Sequence, residues 1–331
     1  MLKNNERAYI DRLVLISRLF YELNMTQEEI AKTIGISRSY VAKLIKKARE
    51  ENLVEIRIKH PLKERYDIED YLIEKFSLKN CIVIDVDDKN DELLKRVLVA
   101  EGINLLLSLV EDGDIIGISW GSTLYQIIPY LELVPVKIDK KVKVVQLNGG
   151  VSKSGITTHA DEIVREVAKI FSAEYFLLPL PAIVENETTR ETLINDNIIK
   201  EYLSIAEVST IAIFSVGRLG FQSILYLAGY ITDKEMEEMQ KRGVVGDICS
   251  TFFDITGNTE NIPVNKRVCG INITNLRKKK ASIAIAGSPI KAEAILGGLR
   301  GGYINYLITD FKTALRIKEL NEKLSILDTI K

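Results

Sequence analysis

The sequence predicts an α/β protein with a small helical domain ahead of a mostly parallel sheet. From Asn80 onward, short apolar runs such as CIVIDV and KVVQL alternate with longer stretches of helical periodicity. That alternation is typical of a parallel sheet covered on both faces. Residues 26–49 instead carry two helical patterns separated by a glycine. The 331 residues suffice for two domains, which we place at residues 1–58 and 59–331.

Composition narrows the class of protein. Hydrophobic residues make up 46% and charged residues 27%, which indicates a globular chain rather than a disordered or fibrous one. No apolar run approaches the roughly 20 residues of a membrane helix, and the N-terminus lacks a signal-peptide pattern, so we expect a cytoplasmic protein without a membrane partner. Cys81, Cys249 and Cys269 are widely separated, which favours reduced core residues; we expect neither a metal nor a cofactor.

The helical pair begins and turns at recognisable signals. Thr26 and Glu29 have the spacing of a capping box, in which each side chain binds the other residue's amide. Gly35 permits a sharp turn, and Ser37 is placed to cap the second helix. The pair resembles the helix-turn-helix of bacterial transcription regulators, whose second helix enters the major groove of DNA. An ordinary solvated helical hairpin is the alternative.

Charge supports the DNA-binding interpretation. Residues 1–60 hold 12 Lys and Arg against 8 Asp and Glu, a net +4, whereas the remainder carries −5. The start of the second helix should meet base edges, and its later lysines should meet phosphates. The residues expected at DNA are Thr26, Gln27, Ser37, Arg38, Ser39, Tyr40, Lys43, Lys46 and Lys47.

Further elements follow from periodicity. Residues 8–23 form a predicted helix that buttresses the pair, residues 54–60 a short strand ended by Pro61, and residues 62–79 a linker helix. Later helices are expected over residues 104–110, from Ser122 and over residues 160–171. The predicted strands lie in CIVIDV, DIIGIS, KVVQL, EYFLLPL, VSTIAIFSV, RVCGINI, ASIAIAG and INYLITD.

Ligands of parallel sheets bind beyond the carboxyl ends of strands, so the following loops are candidate sites. In GISWGST, Gly121, Ser122 and Thr123 offer a phosphate seat, although a capped loop is the plain alternative. In NGGVSKSGITTH, Asn148, Gly149 and His159 are expected near a polyol, although His159 is equally suited to capping. SVGRLG lacks the full dinucleotide fingerprint, so we discount nicotinamide binding, while its Arg218 is a candidate to face the site.

The C-terminal blocks carry the most specific pattern. GVVGDICSTFFDITGN, RVCGINITNLRK and AIAGSPIKAEAILGGLRGGYINYLITDFKTA follow the helical pair, GISWGST, QLNGG and LPLPAIV in order. This arrangement, over almost the whole chain, resembles the SorC family of sugar-binding transcription regulators, also called the central glycolytic and deoxyribonucleoside regulator group. The resemblance implies a fold similar to ribose-5-phosphate isomerase and glucosamine-6-phosphate deaminase, used as a sensor rather than an enzyme, and commonly a tetramer on DNA.

The resemblance also implies roles for single residues. Ser122 and Thr123 match the phosphate-holding loop, and Asn148 and His159 match positions near the effector. Asp247 matches an acid that binds sugar hydroxyls, and Lys291 matches a lysine after a glycine turn. The chain departs from the family at residues 287–289, Gly-Ser-Pro instead of two glycines, and at Phe311. Without the resemblance, Asp247 is suited to capping or pairing with an arginine, and Lys291 to a solvated helix face.

These patterns together predict a DNA-binding transcription regulator, a repressor of a carbohydrate-utilisation operon that a phosphorylated sugar releases. The main alternative is a sugar-phosphate isomerase or deaminase fused to a DNA-binding head. That activity needs a positioned general base with supporting groups, and Asp247 has no second acid or activated histidine at a supporting spacing. A protein-interaction scaffold is the third alternative. We therefore expect no enzyme activity, and operator DNA and a phosphosugar as partners.

Overall fold

The computed structural model describes residues 2–51, 53, 54, 63–86, 90–133, 137–153 and 156–330. The chain divides into two compact units, Met1–Pro61 and Leu62–Lys331. No helix within the described ranges is long and apolar enough to cross a membrane. Each unit is described by itself below.

The described residues of the N-terminal unit form three helices. They are α1 (Leu2–Tyr21), α2 (Gln27–Ile34) and α3 (Arg38–Glu50). The predicted capping box at Thr26 is present, Gly35 has the left-handed conformation with φ +72°, and Ser37 accepts a hydrogen bond from the Tyr40 amide. One buried cluster joins the three helices, formed by Leu13, Ile16, Ile30, Ala31, Val41, Leu44, Ile45 and Ala48. The helix-turn-helix prediction is confirmed, whereas the strand predicted after it lies almost wholly outside the described residues.

The second unit alternates strands and helices. Its strands are β1 (Asn80–Ile84), β2 (Ile115–Ile118), β3 (Lys143–Gln146), β4 (Ser152–Lys153), β5 (Ile156–Thr157), β6 (Glu174–Phe176), β7 (Ile211–Phe214), β8 (Gly217–Arg218), β9 (Val244–Ile248), β10 (Thr251–Asp254), β11 (Ala281–Ile285) and β12 (Tyr306–Asp310). Its helices are α4 (Lys63–Phe76), α5 (Asp91–Leu109), α6 (Ile127–Leu133), α7 (Ala160–Phe171), α8 (Glu187–Ile194), α9 (Asn197–Glu207), α10 (Ile224–Leu227), α11 (Asp233–Lys241), α12 (Ala292–Arg300) and α13 (Phe311–Ile330).

Within the described residues, the main sheet has seven strands in the order β1-β12-β11-β7-β2-β3-β6. Every neighbouring pair in it is parallel, as the sequence predicts. Side chains of one strand alternate between two cores: Ile211 and Ile213 of β7 join the cluster that includes α5 and α7, whereas Ala212 and Phe214 join the cluster that includes α12 and α13. Burial on both faces explains why these strands read as continuous apolar runs.

Several predicted elements were wrong in extent or type. RVCGINI is not a strand, because 3₁₀ turns at Pro263–Arg267 and Ile273–Lys278 flank it and leave only isolated bridges at Val268 and Gly270. Only Glu174–Phe176 of EYFLLPL is a strand. The helix expected over residues 104–110 begins at Asp91, and the one expected from Ser122 begins as a 3₁₀ turn at Leu124.

The second unit also contains a smaller sheet that was not predicted from the sequence. Strands β8, β9 and β10 form an antiparallel sheet in the order β10-β9-β8. Its β9–β10 hairpin lies in the block GVVGDICSTFFD, and the turn between the strands consists of two residues, Cys249 and Ser250. This sheet carries Asp247 on β9, opposite Gly217 on β8.

Candidate functional site

The DNA-facing candidates lie around the start of α3. Arg38, Ser39, Tyr40 and Lys43 are exposed, as base-reading or phosphate-binding side chains must be. Thr26 and Ser37 are exposed too, but their hydroxyls accept the amide hydrogens of Glu29 and Tyr40. Capping is thus their first role. Gln27 is half-buried at the first position of α2.

The basic residues of α3 differ in their surroundings. Lys47 lies 3.0 Å from Glu51, and Lys46 lies 3.9 Å from Glu50, so both lysines have acids one turn away. Exposed pairs of this kind contribute little and open readily, but they reduce the charge offered to a phosphate. Arg38 and Lys43 have no ion-pair partner within the described part of the chain. The charges of these two residues are therefore not offset by a neighbouring acid.

A cavity of about 710 Å³ opens where β2 and β7 end, bordered by the β8–β10 sheet. It collects residues from several distant segments of the second unit. Seven of the eight residues expected at the effector line it: Gly121, Ser122, Thr123, Asn148, His159, Asp247 and Lys291. The location agrees with the rule that parallel sheets bind ligands beyond their carboxyl ends.

Gly149 is the exception, because it serves packing rather than the cavity. A Cβ at this position would lie 2.2 Å from the Pro181 carbonyl oxygen, so only glycine fits. The Gly149 carbonyl accepts a hydrogen bond of 2.7 Å from Trp120 Nε1. Gly149 thus fastens the loop after β3 to the loop after β2, behind the surface that a ligand would touch.

The loop after β2 has the features of an anion seat. Gly121 has φ +146°, a conformation that side chains rarely adopt. The amide groups of Gly121, Ser122 and Thr123 have no hydrogen-bond acceptor among the described residues, and all three residues line the cavity. Unpaired amides that converge on one space are what a phosphate oxygen requires. Thr123 as a whole residue is only 2% exposed.

Asn148 is held by a buried network rather than pointing freely at a ligand. Its Oδ1 accepts a hydrogen bond of 2.8 Å from Ser119 Oγ, and its Nδ2 donates to Ser250 Oγ at 3.0 Å. Its side chain is only 1% exposed. The Ser250 amide donates in turn to Asp247 Oδ2 at 3.2 Å. The chain of contacts from Ser119 to Asp247 therefore forms one connected cavity wall.

Asp247 and Lys291 supply opposite charges to the cavity. Burial raises the pKa of the Asp247 carboxyl to about 6, although the Ser250 amide and Lys291 act against that rise. Burial also lowers the pKa of the Lys291 ammonium, and Lys95 nearby lowers it further. Burial thus disfavours the charged form of both groups. A ligand that brings hydroxyl donors and an anion would stabilise both charged forms.

His159 lies at the edge of the cavity in a left-handed conformation, with φ +49°. Its Nδ1 lies 3.0 Å from Glu162 Oε1, and its ring lies 4.6 Å from that of Tyr125. These contacts fix the ring at the start of α7. Within the described residues, no group of three or more His, Cys, Asp or Glu is arranged to hold a metal ion.

Other cavity residues were not in the set of eight expected at the effector, although Arg218 was predicted as a candidate to face the site. Arg218 lines the cavity, is exposed, and has no ion-pair partner within the described ranges. Ser250 and the short helix α10 also contribute, and no local signal marks them, because their importance depends on residues far away in the chain.

The turn that carries Lys291 is held by an acid from β12. Asp310 Oδ2 accepts the Ser288 amide at 2.8 Å and the Thr313 hydroxyl at 2.6 Å. A Cβ at Gly287 would lie 2.6 Å from the same carboxylate oxygen. Ser288 has φ +84°, so the serine that departs from the family pattern occupies a conformation suited to glycine. Asp310 therefore has a structural role in this turn.

Comparison with known proteins assigns both parts of the chain. Residues 60–318 match the family model of a sugar-binding domain, and residues 17–52 match a helix-turn-helix model. The chain is 34% identical over 298 residues to the deoxyribonucleoside regulator of Bacillus subtilis, covering 90% of this chain and 94% of that protein. It is 26% identical over 315 residues to the transcriptional regulator LsrR of Escherichia coli, with 93% and 94% covered.

Solved structures agree with this assignment. The full-length sorbitol operon regulator SorC of Klebsiella pneumoniae superposes with a TM-score of 0.67 at 30% identity, over 93% of this chain and 98% of that one. The relatives in this group are transcription regulators and not enzymes. The chain belongs to the SorC family of sugar-binding transcription regulators, and it is a DNA-binding regulator.

Proposed function

We propose that this regulator represses a carbohydrate-utilisation operon and that a phosphorylated sugar, bound in the 710 Å³ cavity, releases it from DNA. The observation that carries the proposal is the chemistry of the cavity wall. One side offers the carboxylate of Asp247, which accepts from hydroxyls. Another offers the unpaired amides of residues 121–123 and the ammonium of Lys291, which suit a phosphate.

The names of the relatives support the carbohydrate operon. One relative is a regulator named for deoxyribonucleosides and another is named for the sorbitol operon. Both names point to small polyhydroxylated compounds or their derivatives. The ligand of this chain is expected to belong to the same chemical class, with an added phosphate because the cavity provides an anion seat.

Release from DNA requires that the sugar bind one arrangement of the protein better than another. A ligand shifts an equilibrium only by its difference in affinity for the two states. We propose that the chain acts as a homo-oligomer, a tetramer, in the cytoplasm, and that the ligand changes the spacing of the DNA-binding domains. The domain boundary that we propose, between residues 58 and 59, is supported by the division of contacts at Pro61 and by the family match that begins at residue 60.

Thermal melting against a panel of sugars tests the ligand. The panel holds glucose 6-phosphate, fructose 6-phosphate, ribose 5-phosphate, sorbitol 6-phosphate and each compound without its phosphate. A ligand at a hundred times its dissociation constant stabilises by about 2.7 kcal/mol, which raises the midpoint measurably. One phosphorylated compound should raise it for the wild type and not for Lys291→Ala.

Lys266→Ala is the matched control, because Lys266 is an exposed lysine outside the cavity that pairs with Glu187. It should respond to the ligand like the wild type. If the unphosphorylated sugars shift the midpoint as strongly as the phosphorylated ones, the phosphate part of the proposal is refuted. If no sugar shifts it, the assignment of the cavity to a sugar effector is refuted.

A further inference from the structure

The turn between β9 and β10 has a strained backbone at two positions where glycine would avoid the strain. Cys249 and Ser250 form a two-residue hairpin turn with φ +49° and φ +65°. Turns with two positive φ values ordinarily use Asn-Gly or a similar pair, because a Cβ is unfavourable in that conformation. Strained residues of this kind persist where the surrounding structure holds them and often mark functional sites.

The strained turn positions Ser250, whose side chain and amide make two hydrogen bonds in the cavity wall. Its Oγ accepts from Asn148 Nδ2 at 3.0 Å, and its amide donates to Asp247 Oδ2 at 3.2 Å. Ser250 is 1% exposed, so neither contact competes freely with water. Glycine would relieve the strain and keep the amide contact, but it would lose the link to Asn148.

The two oxygens of the Asp247 carboxylate have different surroundings. Asp247 Oδ2 is occupied by the Ser250 amide, while Oδ1 stands over Gly217, where a Cβ would lie at 2.1 Å. Gly217 therefore leaves room for the carboxylate, and the hairpin sets its orientation. The hydroxyl of Ser250 ties that hairpin to the loop after β3, which fixes the carboxylate relative to the other cavity wall.

We infer that Ser250 is a positioning residue for effector selectivity: by tying the strained Cys249–Ser250 turn to Asn148, it aims the Asp247 carboxylate at a sugar hydroxyl. This inference rests on the proposed function. It assigns Ser250 to the hydroxyl-binding side of the cavity and not to the anion seat. Loss of the Ser250 hydroxyl should therefore weaken binding of a phosphorylated sugar and leave binding of inorganic phosphate unchanged.

The test is calorimetric titration of the full-length protein with inorganic phosphate and with the phosphorylated sugar of the panel that raises the melting midpoint most. Ser250→Ala should weaken the sugar phosphate about tenfold and change phosphate affinity less than about twofold. Asp247→Asn should show the same pattern. The double variant should bind the sugar phosphate no more weakly than Asp247→Asn alone, because both changes disrupt one interaction.

Two further variants separate positioning from folding. Ser250→Gly lacks the hydroxyl, and glycine adopts a positive φ without strain. This variant should therefore melt no lower than Ser250→Ala and still lose sugar-phosphate affinity. Cys81→Ala is the control, because Cys81 is a buried cysteine on β1 that does not line the cavity, and it should bind the sugar phosphate like the wild type. The inference is overturned if Ser250→Ala binds the sugar phosphate normally, if it loses phosphate and sugar phosphate equally, or if its loss multiplies with that of Asp247→Asn.

The outcomes also separate this inference from the proposed function. Wild-type protein that binds no phosphorylated sugar would refute the proposed function and the inference together. Wild-type binding with an unaffected Ser250→Ala variant would refute the inference alone.

Discussion

Asp247→Asn should stabilise the protein at alkaline pH and have little effect at acid pH. Burial raises the pKa of the Asp247 carboxyl from 3.8 to about 6. The folded state therefore binds a proton more tightly than the unfolded state between those values. The stability that this proton provides is complete below pH 3.8 and is lost as the pH rises through 6.

The size of the change in stability follows from the pKa shift of Asp247. Two pKa units correspond to about 3 kcal/mol, and we halve this to about 1.5 kcal/mol because the carboxylate lines an open cavity. Asparagine keeps an acceptor for the Ser250 amide but carries no charge. At pH 8 the variant should therefore be more stable than the wild type by about 1.5 kcal/mol, and at pH 4 the two should be equal.

Urea denaturation at the two pH values measures the free energies of unfolding. Asp254→Asn is the matched control, because Asp254 Oδ1 accepts from the Thr256 amide and hydroxyl and from the Asn258 amide. Its loss should destabilise at pH 8. If Asp247→Asn also destabilises at pH 8, the carboxylate is held by favourable contacts and the reasoning about burial is refuted.

Three further predictions concern DNA binding and backbone conformation. Lys43→Ala should weaken DNA binding and lower the slope of log affinity against log salt by about 1, measured by anisotropy, whereas Lys32→Ala, a lysine paired with Glu28 on α2, should not. Ser288→Gly should raise the free energy of unfolding by about 1 kcal/mol, because φ +84° suits glycine; an unchanged urea midpoint would contradict this. Gly149→Ala should lower the melting midpoint strongly, since its Cβ would overlap the Pro181 carbonyl; a wild-type midpoint would show that the loop yields freely.

Local signals carried much of the fold. The capping box at Thr26 and the cap at Ser37 involve residues three apart, so the sequence alone contains both partners. The helix predicted over residues 160–171 has the observed bounds of α7, because its apolar residues lie on one face. The start of α5 was missed because its apolar residues are spread around the helix, which weakens the periodic signal.

Most residues expected at the effector do line the cavity, but the contacts that they make could not be predicted from the sequence. Asp247 and Lys291 were predicted at the effector from the family resemblance, and both line the cavity. The role of Asn148 depends on Ser119 and Ser250, which are 29 and 102 residues away, and no local pattern contains those contacts. The β9–β10 hairpin escaped notice because Cys249 and Ser250 are not the residues that its turn usually requires.

The sequence pattern on α3 overstated the charge that its lysines offer. The segment from Ser37 to Arg49 contains five basic residues and no acid, and four of them, Arg38, Lys43, Lys46 and Lys47, were predicted to contact DNA. Glu50 and Glu51 follow directly and reach back one turn to Lys46 and Lys47. The spacing of three or four residues could have shown this.

The most direct test of the account measures DNA binding as a function of the sugar. The protein is bound to a genomic fragment that it enriches from fragmented DNA, and the phosphorylated sugar that raises the melting midpoint is titrated in while anisotropy is recorded. The sugar should release the wild type, whereas Lys291→Ala should bind the same DNA equally well but stay bound. Release of Lys291→Ala at the wild-type sugar concentration, or a wild type that stays bound at saturating sugar, would contradict it.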